Sequence, residues 1–357
     1  MTSPTLPRPD LTAFIAGLPK AELHVHQVGS ASPAIVAQLA ARHEGSTPVP
    51  IEAQALADYF TFTDFAHFIE VYLSVVDLVR TPDDVHALTM GVGRDMAAQG
   101  IRYAELTLTP YTSIVRGIAA EAYAEVVEDA RHTLEHEGGP ILRWVVDIPG
   151  ESGLPAADVT RDFALQQRPD GLVAFGLGGP EIGVPRPQFA PHFAAARAAG
   201  LHSVPHSGES TGPQTVWEAL RELGAERIGH GITAAQDPAL LAHLAEHHIP
   251  LEICPTSNVC TRSVPSLAEH PLPVIAAAGV PFSIATDDPP MFATDLCREY
   301  AVAADLLGLD QAGVADLARA SVRQSFLQDA GKALLLNEID DYVTRAVAAA
   351  PSALRPR

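Results

Sequence analysis

Eight apolar segments, each running into polar or glycine-rich residues, recur along the chain. They are residues 21–30 (AELHVHQVGS), 101–110 (IRYAELTLTP), 141–150 (ILRWVVDIPG), 172–179 (LVAFGLGG), 202–209 (HSVPHSGE), 226–232 (ERIGHGI), 250–258 (PLEICPTSN) and 281–290 (PFSIATDDPP). Alanine-rich helical stretches separate most of them, at 119–137, 191–199, 214–223, 238–247 and 272–278. Strand followed by helix, repeated, implies a parallel sheet, because parallel neighbours need a crossover and a helix supplies it. Eight repeats favour closure into an α/β (β/α)8 TIM barrel over an open doubly wound sheet. No G-x-G-x-x-G follows the first strand, which argues against a dinucleotide-binding sheet. The chain is therefore read as one domain over 1–357, with no linker to a second.

A connection of about seventy residues between the first two strands is far longer than a usual strand-to-helix loop. It predicts an extra helical insertion at about 31–98. Phe60, Phe62, Phe65, Phe68 and Tyr72 make it the most aromatic part of the chain, so it is read as extra helices packed on the barrel rim and, compatibly, as an apolar lid over a site at the barrel mouth. Residues 351–357 are expected to form a loose tail.

Charge and cysteine content narrow the function classes. With 23 basic and 43 acidic side chains the formal charge is −20, which repels nucleic-acid phosphates and anionic membranes. Three cysteines cannot build a disulfide framework, and a reducing, cytoplasmic setting is expected. Neither a secretory signal nor an apolar run long enough for a transmembrane helix is read.

The strand ends carry the chemistry. His24 and His26 are two apart, so in a strand both imidazoles face the same side. His206 and Glu209 close the fifth segment, His230 the sixth, Asp287 and Asp288 the eighth. Polar strand ends converge on the C-terminal mouth of such a barrel, and histidine with carboxylate is the donor set of zinc or a similar divalent ion. Each residue has a plainer reading. His206 could be a hydrogen-bonded core histidine, Asp287-Asp288-Pro289 a turn or cap, Glu209 a helix cap, and His230 a residue packed closely between glycines. Their concentration at the strand ends favours a shared site. Most other histidines, among them His43, His67, His132, His243 and His247, are read as surface or core residues, and His202 as structural.

Five motifs, LPKAELHVH (18–26), H-x-G-E (206–209), RIGHG (227–231), CPTSN (254–258) and TDDP (286–289), resemble in order and spacing those of the adenosine deaminase family, within the amidohydrolase superfamily. The resemblance implies that His24, His26, His206 and Asp287 bind one Zn2+ per chain and that Glu209 faces N1 of an adenine-type base. It further implies that His230 sits beside the metal-bound water, that Asp288 contacts the base near N7, and that Gly179 offers its backbone N–H to N3. The implied reaction is hydrolytic deamination at C6 of a small adenine nucleoside, a ligand that the acidic surface would not repel. Zinc lowers the pKa of a bound water from about 16 to about 7. A carboxylic acid at Glu209 can protonate N1 and make C6 more electrophilic, and His230 can steady the charge that develops. The P-C-x-x-C of the unrelated zinc deaminases is absent, and Cys254 is expected to be buried in the seventh strand.

One departure from the family pattern concerns the substrate. In the family an aspartate shortly after H-x-H holds the ribose 5′-hydroxyl; here Val28 stands in its place. A buried hydroxyl left unpaired costs about 1–3 kcal/mol, up to roughly a hundredfold in selectivity. The expected substrate therefore lacks a free 5′-hydroxyl and carries an apolar extension, lined by Val28, Phe60 and Phe65. A subgroup of the family acts on such a molecule, 6-amino-6-deoxyfutalosine of the futalosine route to menaquinone, and the runs HVHQVGSASP (24–33) and GLGGPEIGVPRPQF (176–189) are similar to its members. Alternatives are adenosine, 5′-methylthioadenosine or adenine as substrate, a two-metal amidohydrolase, and a catalytically silent binding barrel. The two-metal enzyme would need a bridging lysine at a middle strand end, where none is found, and a silent barrel would have lost a ligand or Glu209. A second departure, Ser207 in place of the family's usual alanine, is expected to matter little.

Overall fold

The computed structural model describes residues 9–61 and 65–349. Its centre is eight parallel strands, each paired with the next in sequence order: β1 (Lys20–His26), β2 (Ile101–Leu108), β3 (Ile141–Pro149), β4 (Leu172–Gly178), β5 (His202–Ser207), β6 (Ile228–His230), β7 (Leu251–Ile253) and β8 (Phe282–Ile284). The ring closes just past β8, where Val25 bridges Asp287. Two backbone bonds hold the seam: the N–H of His26 donates to the Asp287 carbonyl at 2.9 Å, and that of Asp287 to the His24 carbonyl at 3.0 Å. Closure thus brings the first and last strands' site residues together.

The sequence segments overran the last three strands, each only three residues long. Residues 254–258 do not continue β7: Pro255, with no N–H to give a ladder, opens the short helix Pro255–Cys260. Cys254 is buried just outside β7 instead of within it.

Alternation along β1 explains how an apolar strand carries a polar site. Ala21, Leu23 and Val25 are buried in the main apolar core, while Glu22, His24 and His26 share the opposite face. Val145 of β3 and Val204 of β5 share faces with Asp147 and His206, and with Ala174 they form a separate small apolar cluster against which Phe326 packs. The lumen is therefore plugged by apolar contacts as well as by charge.

Among the described residues, four helices lie between β1 and β2: Pro33–Arg42, Ala53–Tyr59, Phe65–Val76 and Pro82–Ala98. The last is the crossover helix, started by a reciprocal cap between Thr81 and Asp84. An added Cβ at its Gly93 would overlap Leu134 of the helix Ala120–His136, so absence of a side chain sets how closely the two pack. Three helices, Leu296–Leu307, Gln311–Gln324 and Asp329–Ala349, follow the barrel. Among the described residues no helix is long and apolar enough to cross a membrane. The expected tail at 351–357, Phe62, and the side chains of Phe65, His67 and Phe68 lie outside the described residues.

Candidate metal and catalytic site

The strand-end histidines and aspartates meet at the mouth. His24, His206, His230 and Asp287 each offer a ligand atom, all within 4.8 Å of one another. His26 joins them, its Nε2 lying 3.1 Å from Nε2 of His206 and 3.2 Å from Oδ1 of Asp287. Nε2 of His24 is 3.6 Å from the same carboxylate oxygen. Tetrahedral bonds of about 2.1 Å to one ion separate ligand atoms by about 3.4 Å, so this spacing is that of a metal cage.

The chemistry of the donors fits a cation. Nε2 of His24 is buried without a hydrogen-bond partner. Burial works against a charge on His24 and His26, yet the Asp287 carboxylate and the other nearby carboxylates outweigh it and hold their pKa values up at about 10 and about 9. The cage therefore calls for positive charge, which protons or a divalent ion can supply. His206 is driven well below its ordinary value by burial and by the other imidazoles, leaving a neutral ring with a lone pair to give.

Behind the cage runs a buried chain of charge. Nδ1–H of His24 donates to Oε2 of Glu252 at 2.8 Å, which leaves Nε2 as the inward lone pair. Arg227 donates to Oε1 of Glu252 at 2.6 Å and, through Nη2, to Glu105. Glu105 also accepts from Tyr103 at 2.8 Å and from the backbone of Phe326 at 2.6 Å. Ser257 donates to Oδ2 of Asp287 at 2.6 Å, and Glu22 accepts from the N–H of Thr286, fixing the segment that carries Asp287.

His230 and Asp287 both adopt left-handed backbone conformations, φ 60° and 66°. Such strain costs about 1–2 kcal/mol per residue and is typical of functional positions. The glycines flanking His230 have their own purpose: a Cβ at Gly229 would lie 2.8 Å from the His24 ring, and one at Gly231 would overlap Leu251.

Glu209 is not a helix cap, since the next helix, Pro213–Glu218, is capped at Gly212. Its Oε1 accepts from Thr261 at 2.9 Å, and its Oε2 lies 3.7 Å from Nε2 of His230. The loop beneath it is wrapped around one carboxylate. Glu181 accepts from the backbone N–H groups of Gly208, Glu209, Ser210 and Thr211 at 2.6–3.0 Å and from the hydroxyls of Ser210 and Thr211. Burial opposes its charge, but these donors and the buried Arg186 win and hold its pKa below the ordinary value. Glu181→Gln places an NH2 group against this ring of donors and is expected to lower kcat about tenfold through displaced Glu209, with a reduced urea midpoint, as steady-state kinetics and denaturation would show.

Asp288 is half-buried beside Asp287, and its partial removal from water with that neighbouring charge raises its pKa to about 7. A Cβ at Gly29 would overlap its carboxylate, so Gly29 makes room for it; the adjacent Val28 is half-buried and packs against the main apolar core. Gly179, at φ 78°, leaves β4 where a Cβ would overlap the Glu151 carboxylate. Phe60 packs edge-on against Tyr59 and onto the main core. The aromatic contribution of the insertion to the mouth is clearer at Tyr72, whose pKa is raised well above normal by burial and by Asp288, Asp147, Asp287 and Glu151.

Sequence reading passed over Glu105, Asp147, Glu181, Arg227, Glu252, Ser257, Asn258 and His270 as functional residues. The available signal was a charge inside an otherwise apolar strand, as in Glu105 within IRYAELTL, Asp147 within ILRWVVDIP and Glu252 within LEI. Asp147 is buried, accepts from Thr109 at 2.6 Å, and faces His26.

Comparison with known proteins identifies the family. The adenosine deaminase family model matches residues 19–342. The chain is 64% identical over 344 residues to an aminodeoxyfutalosine deaminase of Streptomyces coelicolor, covering 96% of this chain and 88% of that protein. It is 35% identical to an adenine deaminase of Cupriavidus necator, covering 93% and 94%. Among solved structures, the adenine deaminase of Arthrobacter aurescens superposes with a TM-score of 0.85 at 31% identity, over 92% of this chain and 99% of that one. The chain belongs to the adenosine deaminase family, whose members are hydrolases acting on C–N bonds.

Proposed function

We propose that this protein hydrolytically deaminates C6 of an adenine-type nucleoside, with Zn2+ as its metal and 6-amino-6-deoxyfutalosine as preferred substrate. The observation that carries the reaction is the convergence of four imidazoles, those of His24, His26, His206 and His230, and the Asp287 carboxylate at ligand spacing with Glu209 beside them. The substrate assignment rests on the 64% identity to an enzyme named for that substrate and on Val28, two residues past the end of β1, in place of the family's aspartate.

His24, His26, His206 and Asp287 would hold the ion. When bound, the ion supplies the positive charge that makes a water acidic near neutral pH. Glu209, steadied by Thr261, gives a proton to N1, so C6 becomes electrophilic as the water oxygen adds. His230 donates toward that oxygen, and Asp288 accepts from the water or the base. A proton of the added water passes to the amino group, the C6–N bond breaks, ammonia leaves, and the oxygen remains on C6 as a carbonyl while N1 keeps its proton; the water's other proton restores Glu209. Gly179 offers its N–H to N3 of the base.

The rim suits an apolar 5′ extension. Val115, Leu154 and Ile182, in the connections after β2, β3 and β4, are 58%, 46% and 76% exposed, and Leu73 of the insertion is 51% exposed. Single apolar residues on a surface mean little, but strand-to-helix connections build the mouth of a barrel. Comparing kcat/KM for 6-amino-6-deoxyfutalosine, adenosine, 5′-methylthioadenosine and adenine tests the assignment; a clear preference for adenosine would defeat it. Val28→Asp is expected to shift the ratio toward adenosine by about ten- to a hundredfold, because it returns an acceptor for a 5′-hydroxyl.

A further inference from the structure

We infer that Asn258 and His270 are positioning residues that hold the proton of His230 on Nε2, making His230 a hydrogen-bond donor toward the pocket instead of a further metal ligand. The inference rests on the deaminase reading for its consequence but on hydrogen-bond direction for its content.

The direction is set at one end by a group that can only donate. The backbone N–H of Leu272 donates to Nδ1 of His270 at 3.1 Å, so that nitrogen carries the lone pair and the neutral ring keeps its proton on Nε2. Nε2 of His270 lies 3.2 Å from Oδ1 of Asn258, which identifies the amide's oxygen end as the one facing it. The NH2 end of Asn258 then faces Nδ1 of His230, also at 3.2 Å, and must donate there. Nδ1 of His230 is therefore an acceptor, and its proton sits on Nε2, 3.7 Å from Oε2 of Glu209. Asn258, His270 and His230 are all buried, so water does not scramble the order. Burial also pushes the His270 pKa down to about 4, which keeps its ring neutral and the relay one-directional near pH 7.

This separates two histidines that distance alone does not. His26 and His230 both reach the cage, but the relay makes His230 turn a proton toward it, where a metal ligand would turn a lone pair. The relay also explains why a histidine twelve positions from Asn258, outside every motif of the mouth, is buried against it.

Two-bond 1H–15N correlation spectra of the metal-loaded enzyme labelled with 15N-histidine test the assignment, with His230→Gln identifying the signals. The expected spectrum shows His230 protonated at Nε2. Asn258→Asp offers a carboxylate acceptor, and should move the proton to Nδ1 and lower kcat about a hundredfold with KM changed less than about threefold. His270→Gln keeps a donor at the position of Nε2 and should hold the wild-type tautomer with kcat within about fivefold, whereas His270→Asn keeps only the Leu272 contact and should lose more than about tenfold. Should Asn258→Asp fail to fold, the wild-type spectrum and the two His270 variants decide. A wild-type His230 protonated at Nδ1, an Asn258→Asp that moves neither tautomer nor kcat, or equal behaviour of the two His270 variants would overturn it. The correct tautomer in a protein with no deaminase activity would defeat the proposed function and leave this inference standing.

Discussion

Asp287→Ala is expected to lower kcat/KM by about four orders of magnitude or more and to reduce bound metal well below one equivalent per chain. The effect should be this large because Asp287 serves several ends at once. Its Oδ1 faces His24 and His26 at 3.6 and 3.2 Å, its Oδ2 is held by Ser257, and its backbone closes the barrel against β1. Losing the side chain would remove the one anionic member of the proposed ligand set and leave the positive charge gathered there uncompensated. Ser257→Ala separates ligand from lock: it frees Oδ2 without removing the carboxylate, and a metal affinity weaker by about 10–100-fold is expected. Metal analysis and steady-state kinetics on the two variants measure both effects.

Arg227→Met is expected to destabilise the protein by about 3–5 kcal/mol, seen as a lower urea midpoint. Arg227 sits between Glu105 and Glu252, and all three are fully buried. A methionine fills similar space but leaves two carboxylates without their cation, and each must then take up a proton or remain charged in a dry interior. Phe326 also loses the guanidinium that lies 4.0 Å from its ring centroid. The site should register the change, because a protonated Glu252 no longer holds His24 in the tautomer that turns Nε2 inward. Weaker metal binding should accompany the loss of stability, whereas an exposed arginine such as Arg94 in an ion pair with Glu137 should show neither effect on removal.

Much of the architecture was legible because barrel strands announce themselves twice, by apolar runs and by the polar residues where they stop. His24, His26, His206, Glu209, His230, Asp287 and Asp288 stand at such stops, and the fold rule that strand ends share one mouth was enough to group them. Boundaries were less legible at β6, β7 and β8, where three-residue strands pass straight into glycine, proline and short helical turns. The supporting charges were hidden for a different reason. His24 meets Glu252 across 228 positions, and Arg227 meets Glu105 across 122, so neither partner carries a local trace of the other. Asn258 lay in a recognised motif, yet its task depends on His270, an unremarkable histidine whose value comes from the Leu272 N–H at its far nitrogen. The aromatic insertion was visible as composition, but composition did not indicate that Tyr72 would feel the charge of the site's carboxylates.

The most direct measurement is a metal titration of activity. The purified enzyme is stripped with a chelator, Zn2+ is returned in steps, and loss of the adenine chromophore of 6-amino-6-deoxyfutalosine is followed by absorbance. Activity should vanish on stripping and return linearly to a break at one equivalent per chain. Full turnover by the stripped protein, or a break near two equivalents, would contradict a single ion held by His24, His26, His206 and Asp287.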